Sequence, residues 1–236
     1  MIGPFVNAAA VFVGGVVGAA LGNGIPERLR TGLPLTFGLA SMGMGVVMLA
    51  RVAHLPAMVL ALLVGAIIGE LLYVEHYVSR AGEAVNRFIG RFAPQPKGLS
   101  AEEFNNKFVA ILVLFCASGT GIFGAMNEGI TGDPSILLAK SSLDLVTSAI
   151  FATALGFAVA TIFIPQLVIL LALAYGAVFI VPLTTPEMNA DFSAVGGALM
   201  LATGLRICEI KSFAIANLLP ALVVAMPISY LWSKVF

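Results

Sequence analysis

The sequence predicts an all-helical polytopic membrane protein, and three observations predict it. First, 60% of its 236 residues are hydrophobic and only 10% are charged. Its mean hydropathy is +1.05, far above the roughly half-apolar composition of soluble domains. Second, apolar runs of about 20 residues recur along the chain, each long enough to cross a hydrocarbon core. Third, lysine and arginine gather in alternate connections, as cytoplasmic loops require. The expected architecture is about eight transmembrane helices, with an inverted three-helix repeat followed by two C-terminal helices.

Span one covers 2–21. It lacks the basic start of a signal peptide and has full spanning length, so it reads as a retained helix. Gly14, Gly18 and Gly22 stand at four-residue spacing, the pattern of close helix packing, and Asn7 reads as a hydrogen bond between helices. Span two, 32–50, carries "FGLASMGMG", with Ser41 and Gly43 near mid-depth. Span three, 55–74, follows His54 and Pro56, which mark an outer turn.

The segment 75–106 is the one long loop. Val85, Phe88, Ile89 and Phe92 recur at helical spacing opposite Arg80, Arg87 and Arg91, the pattern of a helix lying on the cytoplasmic membrane surface. "FAPQPKGLS" then reads as a breaker and linker.

Span four, 107–126, contains "FCASGTGIFGAMNEG". Ser118, Gly119, Thr120 and Gly121 sit midway along it, where paired glycines and hydroxyls would either unwind the helix around a ligand or serve close packing. Span five, 134–157, is expected to start with Asp133 as cap and Pro134 as first residue. Span six is 161–182. Span seven, 192–207, is short and rich in glycine and alanine, so a re-entrant segment competes with a full crossing. Span eight, 213–233, includes Asn217, a second interhelical amide.

"GVVGAALGNGI" from Gly15 matches "GIFGAMNEGI" from Gly121, and "LPAMVLALLVGA" from Leu55 matches "IPQLVILLALAYGA" from Ile164. A duplicated unit with an odd number of crossings places its second copy upside down, the plan common among secondary transporters. The chain accordingly divides into a first repeat (1–74), a cytoplasmic amphipathic helix and linker (75–106), an inverted second repeat (107–182) and a C-terminal pair (183–236). Arg28, Arg30, Arg80, Arg87, Arg91, Lys97, Lys107, Arg206 and Lys211 fall on one side, and only Arg51 and Lys234 on the other. Both termini are therefore expected outside the cytoplasm.

The strongest functional signal is "LLAKSSLDLVTSAIFATALG", residues 137–156, an apolar run containing Lys140 and Asp144. Ten residues into a helix, Asp144 is about 15 Å deep, near the middle of a core about 30 Å thick. Lys140, Asp144, Thr147 and Phe151 share a face, flanked by Ser141 and Ser148. A charge at that depth costs on the order of 3 kcal/mol. Either the pair is structural, neutralising itself across one turn, or Asp144 binds an amine, proton or sodium ion while Lys140 meets an anion. The candidate binding residues are Asp144, Lys140, Ser141, Thr147, Ser148, Ser118, Gly119, Thr120, Gly121 and Ser41. Arg206 and Glu209 are candidates for a cytoplasmic gate, while Arg51, Glu70 and Lys211 are explained by position near span ends.

Twelve basic and twelve acidic residues cancel, and no basic face points to nucleic acid. Two cysteines without a CxxC pattern and two distant histidines predict free thiols and no metal. No nucleophile elbow, HExxH, Walker A or dinucleotide fingerprint is present, so neither an enzyme nor a cofactor is expected. The expected partners are the lipid bilayer, a small polar solute or ion, and a second copy of the chain, since 236 residues rarely enclose a transport pathway alone. The leading reading is a secondary transporter working by alternating access. Its rivals are a non-transporting scaffold or sensor working through the amphipathic helix, and a channel.

"MIGPFVNAAAVFVGGVVGA", "FGLASMGMG", "LPAMVLALLVGAIIGE", "ASGTGIFGAMNEGITGDPSILLAKSSLDLVTSAIF" and "GLRICEIKSFAIANLLPALVVAMP" resemble the YqgA/YdfK-like family of bacterial inner-membrane proteins, domain of unknown function 554. The resemblance runs over essentially the whole chain. It implies a bacterial origin, an inner-membrane location and a polytopic plan. It brings no established substrate and no binding residues.

Overall fold

The computed structural model describes residues 1–89 and 100–235, and every described regular element is helical. They are α1 (Gly3–Leu21), α2 (Glu27–Leu49), α3 (Leu55–Leu71), α4 (Val74–Ile89), α5 (Ala101–Cys116), α6 (Gly119–Thr131), α7 (Ser135–Leu155), α8 (Phe163–Val178), α9 (Pro186–Ile207), α10 (Ile215–Leu218) and α11 (Pro220–Val235). The expected residues Arg91, Phe92 and Lys97 and the linker beyond Ile89 lie outside the described residues.

Local chemistry sets the ends. Ser100 and Glu103 form a reciprocal capping box at the start of α5, satisfying two N–H groups that a helix start would leave open. Gly132, at φ 77°, ends α6 with its N–H on the Glu128 carbonyl, a left-handed cap that glycine adopts without strain. Asp133 does not cap α7 directly. Pro134 holds the cap position and Ser135 begins the helix, one residue later than expected, and Asp133 Oδ1 supports that start by accepting the Ser135 N–H at 3.0 Å.

By length and composition, five helical stretches among the described residues suffice to cross a bilayer: Gly3–Leu21, Glu27–Leu49, Glu102–Thr131, Ser135–Val178 and Ile215–Val235. Leu55–Leu71 with Val74–Val85, bent by 57°, makes a sixth. The eight expected segments each coincide with helix, and the tally of stretches by length and composition is smaller for two reasons. Ser135–Val178 is one stretch of 44 residues, joined through a 3-10 stretch at Gly156–Ile162; at 1.5 Å per residue it would extend about 66 Å, twice a hydrocarbon core. α9 carries Glu187, Asn189, Asp191 and Arg206 and is less apolar than its neighbours.

Small residues decide how the helices meet. A Cβ on Gly14 would lie 2.1 Å from the Leu145 carbonyl oxygen, and one on Gly18 would lie 2.0 Å from that of Ala149, so α1 lies backbone to backbone on α7. Gly45 meets Gly197 in the same way, joining α2 to α9, and Gly69 meets Asn217, joining α3 to α10. Gly22 does not continue the packing row expected from the sequence. With nothing near its Cβ position and φ 51°, it ends α1 instead. Outward faces carry Leu39, Ile67, Val168 and Val223, all more than half exposed, a surface suited to hydrocarbon.

Candidate functional site

Asp144 and Lys140 project from the middle of α7 and are almost completely buried, at 7% and 4% exposure. Lys140 Nζ donates to Asp144 Oδ2. Two further donors reach the same oxygen: Asn7 Nδ2 from α1 at 2.8 Å and Gln166 Nε2 from α8 at 3.1 Å. Gln166 Nε2 also donates to Asn7 Oδ1 at 2.8 Å, so three helices converge on one carboxylate oxygen. Lys140 Nζ lies 5.7 Å from the centre of the Phe115 ring, within the range of cation–π attraction.

The pair forms part of the lining of a cavity of about 640 Å³, a volume ordinary for small-molecule sites. Exposed Lys107 and Glu209 and the half-buried Glu75 and Arg206 line it as well. The cavity thus runs from polar surface to the buried centre of α7. Phe37, Phe115, Phe151 and Leu143 supply apolar wall.

The helix expected over 107–126 is broken at Ala117 and Ser118. Ser118 caps α6, its Oγ accepting the Gly121 N–H at 3.1 Å. The site where a Gly121 Cβ would sit is 2.9 Å from Ser118 Oγ and 3.0 Å from Lys140 Cε, so the lysine stem crosses the first turn of α6. That turn presents unbonded N–H groups and the positive end of a helix dipole. Ser41 donates to the Met200 carbonyl at 2.9 Å and pairs with Thr120 Oγ1 at 3.1 Å. With its own proton spent on Met200, Ser41 receives the Thr120 proton, and the two tie α6 to α2 and α9.

Of the residues singled out by sequence, Asp144, Lys140, Thr147, Ser118, Thr120 and Ser41 line the cavity. Gly119 and Gly121 form the adjoining first turn of α6 and pack on Leu199 and Lys140. Ser141 and Ser148 lie outside the lining; their hydroxyls donate to Leu137 and Leu145 carbonyls of α7, and Ser148 lies against Gly14. Thr147 likewise donates to the Leu143 carbonyl.

Arg206 pairs with Glu75 at 3.0 Å, not with Glu209. Glu75 Oε2 also accepts the Ala216 N–H at 2.8 Å, and Asn217 Oδ1 accepts the Glu75 N–H at 2.7 Å. Sequence reasoning missed Glu75 and three further residues. Gln166 was legible only as a lone amide in an apolar span. Asp191, 1% exposed, receives the Ala53 and His54 N–H groups, His54 Nδ1 and the Ser229 hydroxyl, pinning the start of α3 to α9 and α11. Glu128, 2% exposed, accepts the Ile2 and Gly3 N–H groups and so caps α1.

Comparison with known proteins gives a consistent family. The chain matches the family described as protein of unknown function DUF554 over residues 2–230, and it belongs to that family. It is 57% identical over 236 residues to the uncharacterized protein YqgA of Escherichia coli (strain K12), covering 100% of this chain and 99% of that one. It is 26% identical over 235 residues to the uncharacterized membrane protein YdfK of Bacillus subtilis (strain 168), covering 95% and 93% respectively. No solved structure matches. A membrane-protein relative and several apolar helices agree on a membrane location.

Proposed function

We propose that this chain is a secondary transporter of the bacterial inner membrane that moves a small polar solute by alternating access. The observation that carries the reading is the buried Lys140 and Asp144 pair, lining a cavity of about 640 Å³ whose lining also includes Glu75 and Arg206 at its exposed end. A charged pair at mid-membrane depth is expensive, and here it faces a space that a solute fits. The broken helix at Ser118 supplies the half-helix start that transporters aim at bound ligands.

The proposal includes eight crossings, an inverted three-plus-three repeat, both termini outside the cytoplasm, a homodimer and coupling to a proton or sodium ion. It assigns the chain no catalytic activity.

Proteoliposomes of the purified chain test the reading. Solid-supported-membrane currents are recorded while amino acids, organic acids, sugars and inorganic ions are applied, with and without proton and sodium gradients. A saturable, solute-evoked current that Asp144→Asn abolishes is the expected result. Flux that never saturates would make the protein a channel. A folded protein that yields no flux with any solute would make it a scaffold.

A further inference from the structure

We infer that the ligand of this cavity is a zwitterionic amino acid with an apolar side chain, an inference that rests on the transporter reading and narrows it. The grounds are the polar atoms that the fold leaves open. All three hydrogen bonds to Asp144 fall on Oδ2, and among the described residues Oδ1 has no partner; it is not one of the buried unpartnered atoms and so opens onto the cavity that Asp144 lines. That oxygen is an acceptor waiting for a cationic donor. Lys140 Nζ spends one of its three protons on Asp144 and has no other acceptor among the described residues. Ser118 Oγ accepts the Gly121 N–H, which leaves its own proton without an acceptor there. These donors stand at the positive end of α6, the arrangement that receives a carboxylate.

The two halves of the site therefore ask for opposite charges a few ångströms apart. A simple anion would face Asp144, and a simple cation would face Lys140. A zwitterion satisfies both and adds no net charge to a buried, self-neutralising pair, avoiding the penalty of carrying a charge to mid-membrane. The ammonium meets Asp144 Oδ1, and the carboxylate meets Ser118, Lys140 and the first turn of α6. The remaining wall at this depth is Phe37, Phe115, Phe151 and Leu143, which receives an aromatic or branched side chain. Thr120 does not contribute a donor, since its proton goes to Ser41.

The test is isothermal titration of the purified full chain with L-phenylalanine, L-leucine, 2-phenylethylamine, 3-phenylpropionate, L-glutamate and glucose. L-phenylalanine or L-leucine is expected to bind at least about tenfold more tightly than the analogue lacking either charged group, a difference of one decade in Kd. Asp144→Asn removes the ammonium's partner but also leaves Lys140 unpaired, so a second variant is needed. Ser118→Asp keeps a good helix cap while placing a negative charge against the ligand carboxylate. It is expected to weaken L-phenylalanine by about tenfold or more and to leave 2-phenylethylamine binding intact. If 3-phenylpropionate or 2-phenylethylamine binds as well as L-phenylalanine, or only glucose binds, the zwitterion is wrong; if only L-glutamate binds, the apolar side chain is wrong; in each case the transporter reading stands. If no solute of this set binds a folded protein and none evokes flux, both fall.

Discussion

Asn7 and Gln166, 159 residues apart in sequence, hold one another by a 2.8 Å amide hydrogen bond while both donate to the same oxygen of Asp144. Neither amide is exposed at all. The bond between them fixes both side chains, so the Asp144 carboxylate is held in one orientation, with Oδ2 inward and Oδ1 without a partner among the described residues. A binding carboxylate in a cavity needs such support from behind.

Removing Lys140 should expose the cost of the pair. Lys140→Met leaves Asp144 buried with two amide donors and no cation, and breaking a buried pair this way costs about 3–5 kcal/mol. Lys140→Met combined with Asp144→Asn should recover most of that loss while remaining unable to bind solute. Unfolding of both variants in detergent, followed by helical circular dichroism, reads the difference. A single variant as stable as the parent would mean that the pair is not mutually dependent.

Close packing of α1 on α7 gives a second prediction. A Cβ on Gly18 would lie within 2.0 Å of the Ala149 carbonyl oxygen, a distance that forces the helices apart. Gly18→Val should therefore destabilise the protein by about 3 kcal/mol or more, the range of severe overpacking. Gly43→Ala is the control, since nothing lies within 4 Å of its Cβ position. It should be neutral or stabilising by roughly 1 kcal/mol through helix propensity. Thermal unfolding of the two variants side by side checks the contrast.

What the sequence made legible follows the reach of local rules. Helices were legible because apolar runs are long, and Asp144 with Lys140 was legible because charge in such a run is conspicuous. The break at Ser118 was one of two readings that the sequence left open, since two glycines and two hydroxyls crowded into four positions suit either unwinding or close packing. Ser141 and Ser148 were placed in the site because they flank Asp144 on a helical wheel, but a hydroxyl in an apolar helix satisfies itself on a carbonyl one turn back, and theirs do. Gln166 and Glu75 were out of reach because their partners come from helices distant in sequence. Glu209 looked like the mate of Arg206 only because it lies three residues away.

Acid should loosen the connection between α6 and α7. Two donors from Ser135, the hydroxyl and the N–H, hold the Asp133 carboxyl below its ordinary range, with Arg51 adding a smaller attraction. A folded-state pKa below the unfolded one contributes stability that is present above the unfolded value and is lost as pH falls through the folded value. The start of α7 should therefore stay ordered at neutral and mildly acid pH and fray as pH drops below the usual carboxylate range. Asp133→Asn should remove that pH dependence. Amide exchange over residues 133–138, corrected for intrinsic rates, measures it; equal protection at both ends of the pH range would refute it.

Glu75 and Arg206 give the last prediction. Their 3.0 Å ion pair lies at the exposed end of the cavity, and Arg206 also donates to the Phe213 carbonyl at 3.2 Å. The two backbone turns beside it are strained. Tyr73, just before α4, has φ 52°, and Glu209, just after α9, has φ 57°, conformations that cost a non-glycine residue on the order of 1–2 kcal/mol. Strain at both flanks lowers the cost of moving away, so Glu75→Gln, which removes the charge but keeps the shape, should shift the population toward a more open cavity. A Phe37→Cys probe in a background with Cys116 and Cys208 replaced by serine reads this by its rate of alkylation. The rate should rise several-fold in Glu75→Gln and return toward the parent rate when Tyr73→Gly and Glu209→Gly relieve the strain. An alkylation rate that ignores all three changes would mean that these residues hold structure and do not gate the cavity.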